Sequence, residues 1–356
     1  MRTFLIIVSA LFLLPLHAQS IMHIETVEIY IPGEDDDHYV NNAVTAFFKG
    51  KYYCMWQSSA KDEDASDTHV VVSTSRDGYE WSRPKTLAEA SDSTWTSPGG
   101  WIVNGDTLTA FINILPDIKD GGTAHYITTG NGRKWSDLKP VLMADGTPME
   151  GILEQDPHLI NAERIIGAAH FKPGLKARPI YTEDLSGHTG WKIGKIEMED
   201  RGTQSRGIEP SLYEKTDGTI VMLFRDQASS FRKIASESHD LGETWSTPYL
   251  TALIDSRSKQ CAGNLPDGTA FIVSNPAASK DRTTLGLAFS LDGETFGEYV
   301  ILRSPADLRE RKYEGRYKTP GYSYPKAMLH DGKLLISYSE NKERIQLTIV
   351  SINLAN

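Results

Sequence analysis

A turn signature recurs five times along this chain at a period of about 54 residues. The copies run Ser75 to Trp81, Thr129 to Trp135, Ser238 to Trp245 and Ser290 to Phe296, with a degenerate copy at Glu183-Asp184…Gly190-Trp191. Each sets a short polar residue, then Asp or Asn, then Gly, ahead of an aromatic. The Asp or Asn side chain can bond its own turn backbone, and the Gly accepts positive φ. The aromatic pins the turn to the sheet beneath. One copy says little; five at a fixed spacing define a repeat protein.

Between these turns lie six segments that read as strand, tight turn, strand. They cover residues 43–56, 101–113, 158–170, 211–225, 262–275 and 326–339, around Lys49-Gly50, Asn104-Gly105, Asn161-Ala162, Asp217-Gly218, Asp267-Gly268 and Asp331-Gly332. Asp-Gly and Asn-Gly between β-branched and aromatic runs are strong hairpin signals. In five units a further strand and then the turn signature follow, giving four strands per unit. No segment carries a long helical period. The expected fold is all-β: a six-bladed β-propeller with four-stranded antiparallel blades, one domain over residues 19–356. The last unit lacks the turn signature, and an early strand at 24–31 is left over to complete a blade and close the ring.

The first 18 residues read as a signal peptide, with Arg2, an apolar run from Phe4 to Leu16, and Leu16-His17-Ala18 ahead of Gln19. That run is too short for a membrane span. The expectation is a secreted or periplasmic monomer, cleaved near Ala18. Net charge is −10 with no basic stripe, which argues against nucleic acid. Acidic substrates remain compatible, since arginines can cluster inside an acidic protein. The two cysteines, Cys54 and Cys261, fall in the first and fifth units and are expected as separate thiols. No zinc spacing, calcium loop or phosphate cradle is present. No cofactor is expected, although a structural calcium ion in a central channel is compatible with the sequence.

The repeat also projects a site. The innermost strand of each blade starts at one face and its neighbour returns there. Residues before the first strand and ending the second therefore line one funnel. The first set includes Asn42, Trp101, Asp156, Glu209, Gln260, Tyr322 and Tyr324; the second includes Gln57, Asn113, His170, Arg225, Asn275 and Glu340. That pool is polar and aromatic, as a sugar site requires.

Turns of the form at Ser238–Trp245 are Asp boxes, and over essentially its whole mature length the chain resembles the sialidase-like, six-bladed propeller enzymes. Glu209-Pro210-Ser211 followed by Arg225 matches the family's glutamate and arginine around the fourth inner hairpin. The resemblance implies a carboxylate-binding role for Arg225 and Arg282, a nucleophilic Tyr322 with Tyr324 competing for the role, and Glu209 as its base. Asp64 or Asp67, ahead of the first box, is implied as acid/base. Sialidases carry Arg-Ile-Pro at the first inner strand; residues 37–43 here read Asp-His-Tyr-Val-Asn-Asn-Ala, without arginine. A uronate or another ulosonate is therefore as compatible as sialic acid.

Three functions follow as expectations. The first is an exo-glycosidase releasing a terminal acidic sugar from an oligosaccharide or polysaccharide. In the second, a uronate lyase, Arg225 neutralises the carboxylate and His38, His170 or Tyr322 moves the proton. The third is a glycan-binding propeller without chemistry.

Overall fold

In the computed structural model, which describes residues 23–154 and 157–352, the repeats form six antiparallel sheets in a ring. The first blade runs Tyr39–Phe48, Lys51–Ser59, His69–Ser75 and Lys85–Ala88. The second runs Trp95–Asn104, Thr107–Asp117, Gly121–Thr129 and Lys139–Pro140. In the third, two short pieces, Gly151–Leu153 and His158–Ile160, share the partner Arg164–Phe171, and Lys176–Thr182 and Lys192–Ile193 follow. The fourth blade is Gly207–Glu214, Ile220–Asp226, Arg232–Ser238 and Tyr249–Ile254. The fifth is Cys261–Asn264, Ala270–Ser274, Leu285–Ser290 and Val300–Arg303.

The sixth blade contains Tyr322–His330, Lys333–Glu340 and Arg344–Ser351. Its outer strand comes from the other end of the chain. Ile24–Tyr30 pairs antiparallel with Arg344–Ser351, from Ile24 opposite Val350 to Tyr30 opposite Ile345. The ring is thereby closed by hydrogen bonds between the first and last strands, as the sequence predicts.

Burial falls from the axis outward. Tyr39–Phe48 is buried at nine of ten positions, whereas Tyr249–Ile254 at a blade's rim is mostly exposed. Apolar side chains pack between neighbouring blades. Val44 and Met55 of the first blade meet Ala110 and Ile112 of the second, and Trp56 of the first meets Leu335 and Leu347 of the sixth. Each core is therefore shared by two blades, and none is complete alone. Cys54 and Cys261 are both buried, and no disulfide joins them.

In all five boxes a side-chain oxygen of the Asp or Asn accepts from amides of its own turn, and in four the leading Ser or Thr hydroxyl accepts from the Gly amide. In the first, Asp77 Oδ1 accepts from the amides of Tyr79 and Glu80 at 2.8 and 2.9 Å, Ser75 Oγ accepts from Gly78 N at 2.9 Å, and Trp81 Nε1 donates to Gly78 O at 3.0 Å. In the degenerate third copy, Trp191 Nε1 donates to Gly187 O at 2.8 Å, so Gly187 rather than Gly190 supplies the carbonyl. The boxes also tie neighbouring blades. Lys49 Nζ donates to Gly130 O at 2.9 Å, and Tyr213 Oη to Gly293 O at 2.9 Å. Boxes and inner hairpins thus share one face, and the funnel opens on the other.

The signal peptide expected at residues 1–18 falls outside the described residues, as does Asp156. No helix among the described residues is long and apolar enough to cross a membrane.

Candidate functional site

One backbone device recurs in four of the six inner strands. Pairing slips between Asn41 and Val44, Pro98 and Gly100, Ile208 and Ser211, and Ser323 and Lys326. At these bulges Asn42, Gly100, Glu209 and Tyr324 take φ of +57°, +114°, +51° and +59°. A left-handed residue with a Cβ costs on the order of 1–2 kcal/mol, and such strain gathers where a side chain must be aimed. Here it turns Asn42, Glu209 and Tyr324 into a cavity of about 580 Å³ at the funnel mouth. In the second blade the matching position is a glycine.

Glu209 is the centre of the site. Its Oε1 accepts from Tyr324 Oη at 2.6 Å and its Oε2 from Arg225 Nη1 at 2.7 Å. Burial pushes its carboxyl up, but Arg225 and Lys259 outweigh that and hold it below its ordinary value. Burial raises Tyr324 far above the usual phenol range, and Glu209 and Glu63 add to it. The resting pair is therefore a phenol donating to a carboxylate. Lys259 Nζ lies 5.0 Å from the Tyr324 ring centroid and Lys342 Nζ 5.7 Å.

Three further carboxylates line the cavity around this pair. Glu154 accepts from Lys259 Nζ at 2.6 Å and faces His170 Nδ1 at 3.4 Å. Burial opposes its ionisation, yet Lys259 and His170 keep it well below the carboxylate range. Glu63 accepts from Tyr39 Oη at 2.9 Å and pairs with Lys342 Nζ. Asp64 also lines the cavity, with φ of +56°. Burial, with Glu63 adding repulsion, pushes its pKa up to about 6. Arg282 lines the opposite side; burial and the nearby Arg225 lower its pKa, and its Nη2 donates to Arg257 O at 2.9 Å. Trp95, Ile118, Ile152 and Leu175 form an apolar wall on the side of the second and third blades.

The cavity brings together Glu209, Tyr324, Arg225, Arg282, Asp64, His170 and Asn42 from the sequence-derived candidates. Five others lie elsewhere. Tyr322 is fully buried among Val273, Leu285 and Tyr338, its hydroxyl donating to Ser304 O at 3.2 Å. Trp101 packs in the core between the first two blades and donates to Val44 O at 3.0 Å, toward the opposite face. Gln260 is fully buried behind the site, donating to Glu209 O at 3.1 Å and Leu223 O at 3.0 Å. Asp67 caps its own loop, accepting from Ala60 N at 2.9 Å. His38 stacks on Tyr313 at 3.6 Å and is not a lining residue of the cavity. His170 is present, but its Nε2 accepts from Glu209 N at 3.1 Å, which puts the ring proton on Nδ1 toward Glu154.

Sequence reasoning missed Glu63, Glu154, Lys259 and Lys342. Each lies within two residues of a residue it did single out, so a wider window at each funnel position would have found them. Among the described residues no group of three or more His, Cys, Asp or Glu is disposed to hold a metal ion.

A closed ring of Asp-box blades around a Tyr–Glu–Arg cluster defines a sialidase-like propeller. The chain belongs to the BNR repeat-like domain family, whose pattern matches residues 50–336. No curated protein matches the sequence at a significant level. Among solved structures, a sialidase superposes with a TM-score of 0.66 at 18% identity, covering 93% of this chain and 33% of that one. A Dyadobacter fermentans protein of unknown function gives 0.70 at 16% identity over 93% and 99% of the two chains. A variant of the NanB sialidase from Streptococcus pneumoniae gives 0.66 at 13%, over 91% and 70%. The chain thus spans a third of the first of these, and at such identities the likeness speaks for the fold.

Proposed function

We propose that the protein is a secreted exo-glycosidase that releases a terminal carboxylated sugar, sialic acid or a close acidic relative, from a glycan. The observation that carries this is the 2.6 Å contact of Tyr324 Oη with Glu209, itself held by Arg225, in a cavity that Asp64 also lines. A phenol is a weak nucleophile unless a neighbouring base takes its proton. Glu209 is ionised and in contact, so it fills that role. Arg225 Nε is buried with no partner among the described residues, and Arg282 has no carboxylate partner among them. Both are disposed to grip a substrate carboxylate. The apolar wall opposite suits an apolar substituent on the same sugar.

The chemistry balances in two steps. Tyr324 Oη attacks the anomeric carbon and passes its proton to Glu209, while Asp64 protonates the glycosidic oxygen and the leaving glycan departs. Asp64, now a carboxylate, takes a proton from water, whose oxygen displaces Tyr324; Glu209 returns the proton to the phenolate. Two displacements retain the anomeric configuration, as in other tyrosine-based glycosidases. Asp64 near pKa 6 is suited to act as acid and then base.

A uronate lyase fits less well. His38 is turned away to Tyr313 and the Nε2 of His170 is occupied by the Glu209 amide. The test is mass spectrometry of products from a panel of sialylated and uronate-terminated oligosaccharides. Fragments summing to substrate plus one water support the hydrolase; fragments summing to substrate alone, with an unsaturated uronate, refute it. No product from any member also refutes it and favours a binding propeller.

A further inference from the structure

Residues 309–321 cross from the fifth blade to the inner strand of the sixth, beside the cavity mouth. The strap is fastened at several points. The amides of Lys312 and Tyr313 donate to Glu343 at 3.0 and 2.8 Å, and Lys318 Nζ donates to His38 O at 2.6 Å. The His38 ring, stacked on Tyr313, belongs to this fastening. Arg316 then reaches the loop that carries Asp64. Its amide donates to Asp62 Oδ1 at 2.8 Å, and its guanidinium to the carbonyl oxygens of Glu63 at 3.1 Å and Asp64 at 3.4 Å.

The next residue, Tyr317, lines the cavity while remaining 63% exposed, with φ of +60°. An exposed aromatic in left-handed backbone gains little from packing, and Gly or Asn would suit the turn better. The Arg316 guanidinium stands over the Tyr317 ring, 5.7 Å from its centroid. The ring is thus held on a fastened loop with most of its surface open to the mouth.

During hydrolysis the general acid delivers its proton to the oxygen that joins the two sugars. The leaving sugar therefore starts beside Asp64, and Arg316 links the Asp64 loop directly to Tyr317. Sugar rings carry apolar C–H faces that stack on aromatic rings, which combine apolar area with a polar tip. We propose that Tyr317 is the platform of a leaving-group subsite that takes the sugar ring joined to the acidic one. The inference rests on the hydrolase reading and adds the recognition of the other half of the substrate.

The test compares two substrates with the full chain. One is the methyl glycoside of the acidic sugar, N-acetylneuraminic acid or whichever sugar the panel shows released; the other is the same sugar linked to lactose. A methyl group has no ring face to stack on Tyr317. Tyr317→Ala is expected to lower kcat/KM on the lactose-linked substrate about tenfold, leave the methyl glycoside unchanged, and be rescued by Tyr317→Trp. Equal losses on both substrates, or no loss on the lactose-linked one, would overturn the subsite while leaving the hydrolase intact. A wild type inactive on both overturns the hydrolase reading and the subsite together.

Discussion

Tyr322 and Tyr324 stand two residues apart on one strand, where a regular pleat would point both to the same face. The bulge between Ser323 and Lys326 breaks that parity, so one ring enters the core and the other the cavity. The two phenylalanine variants separate these roles. Tyr324→Phe removes the proposed nucleophile and is expected to cut kcat about 10³-fold or more with the fold intact. Tyr322→Phe deletes one hydrogen bond to Ser304 O and is expected to cost about 1 kcal/mol in denaturant midpoint while turnover persists. The reverse pattern in a kcat and stability comparison would reassign the nucleophile. Asp64 offers a pH signature. The acid must be protonated, so kcat/KM should fall as pH rises through about 6. Asp64→Asn should lose that limb and about 10²–10⁴-fold of activity on an oligosaccharide. Its folded pKa is raised, so ionisation destabilises the native state. That penalty is full above about pH 6 and absent below the ordinary value of 3.8. Asp64→Asn should therefore raise Tm at pH 8 and leave it unchanged near pH 3.5.

At the scale of elements, two kinds of loop divide the work between the faces of the ring. The boxes close the outer strands and dock on the neighbouring inner hairpins; the bulges at the other face aim side chains. Asp240 accepts from Thr244 N at 2.8 Å, and in the same turn Trp245 Nε1 donates to Gly242 O at 2.9 Å. Asp240→Ala should destabilise the protein by about 1–2 kcal/mol. Because this box faces away from the cavity, KM and kcat measured below the unfolding transition should stay at wild-type values. A change in KM would show that the two faces are coupled. The boxes were legible because a turn writes its chemistry into consecutive residues. The bulges were not, because left-handed backbone at Asn42, Glu209 and Tyr324 has no residue signature of its own.

For the whole molecule, closure depends on a strand at the far end of the chain from its partner. Val27 and Ile29 of Ile24–Tyr30 pack on the core shared by the sixth and first blades. Without this strand Arg344–Ser351 becomes an open edge with unpaired amides and carbonyls. A chain lacking residues 19–31 is expected to elute as aggregate in size-exclusion chromatography. A monodisperse, active product would mean that the five remaining complete blades hold the ring unaided. The charge distribution is also a property of the whole. The chain carries a net −10, yet Arg225, Arg257, Lys280, Arg282 and Lys342 line one cavity, and charges gathered in a cavity act on a ligand more strongly than scattered, screened surface charges.

By itself the sequence determined the architecture: the number of blades, the position of each hairpin and box, the closing strand, and which residues approach the funnel. These are short-range or periodic properties, and repetition made each one visible several times. The tertiary structure decided which candidates face the cavity. Tyr322 and Trp101 end in the core and Tyr324 at the site, because a bulge shifts side-chain direction without changing the residue types around it; Gln260, ahead of a strand without a bulge, is buried behind the site. It also decided the charge pairing. Glu154 with Lys259 and Glu63 with Lys342 join residues 105 and 279 positions apart, and only closure of the ring brings such partners within hydrogen-bonding reach.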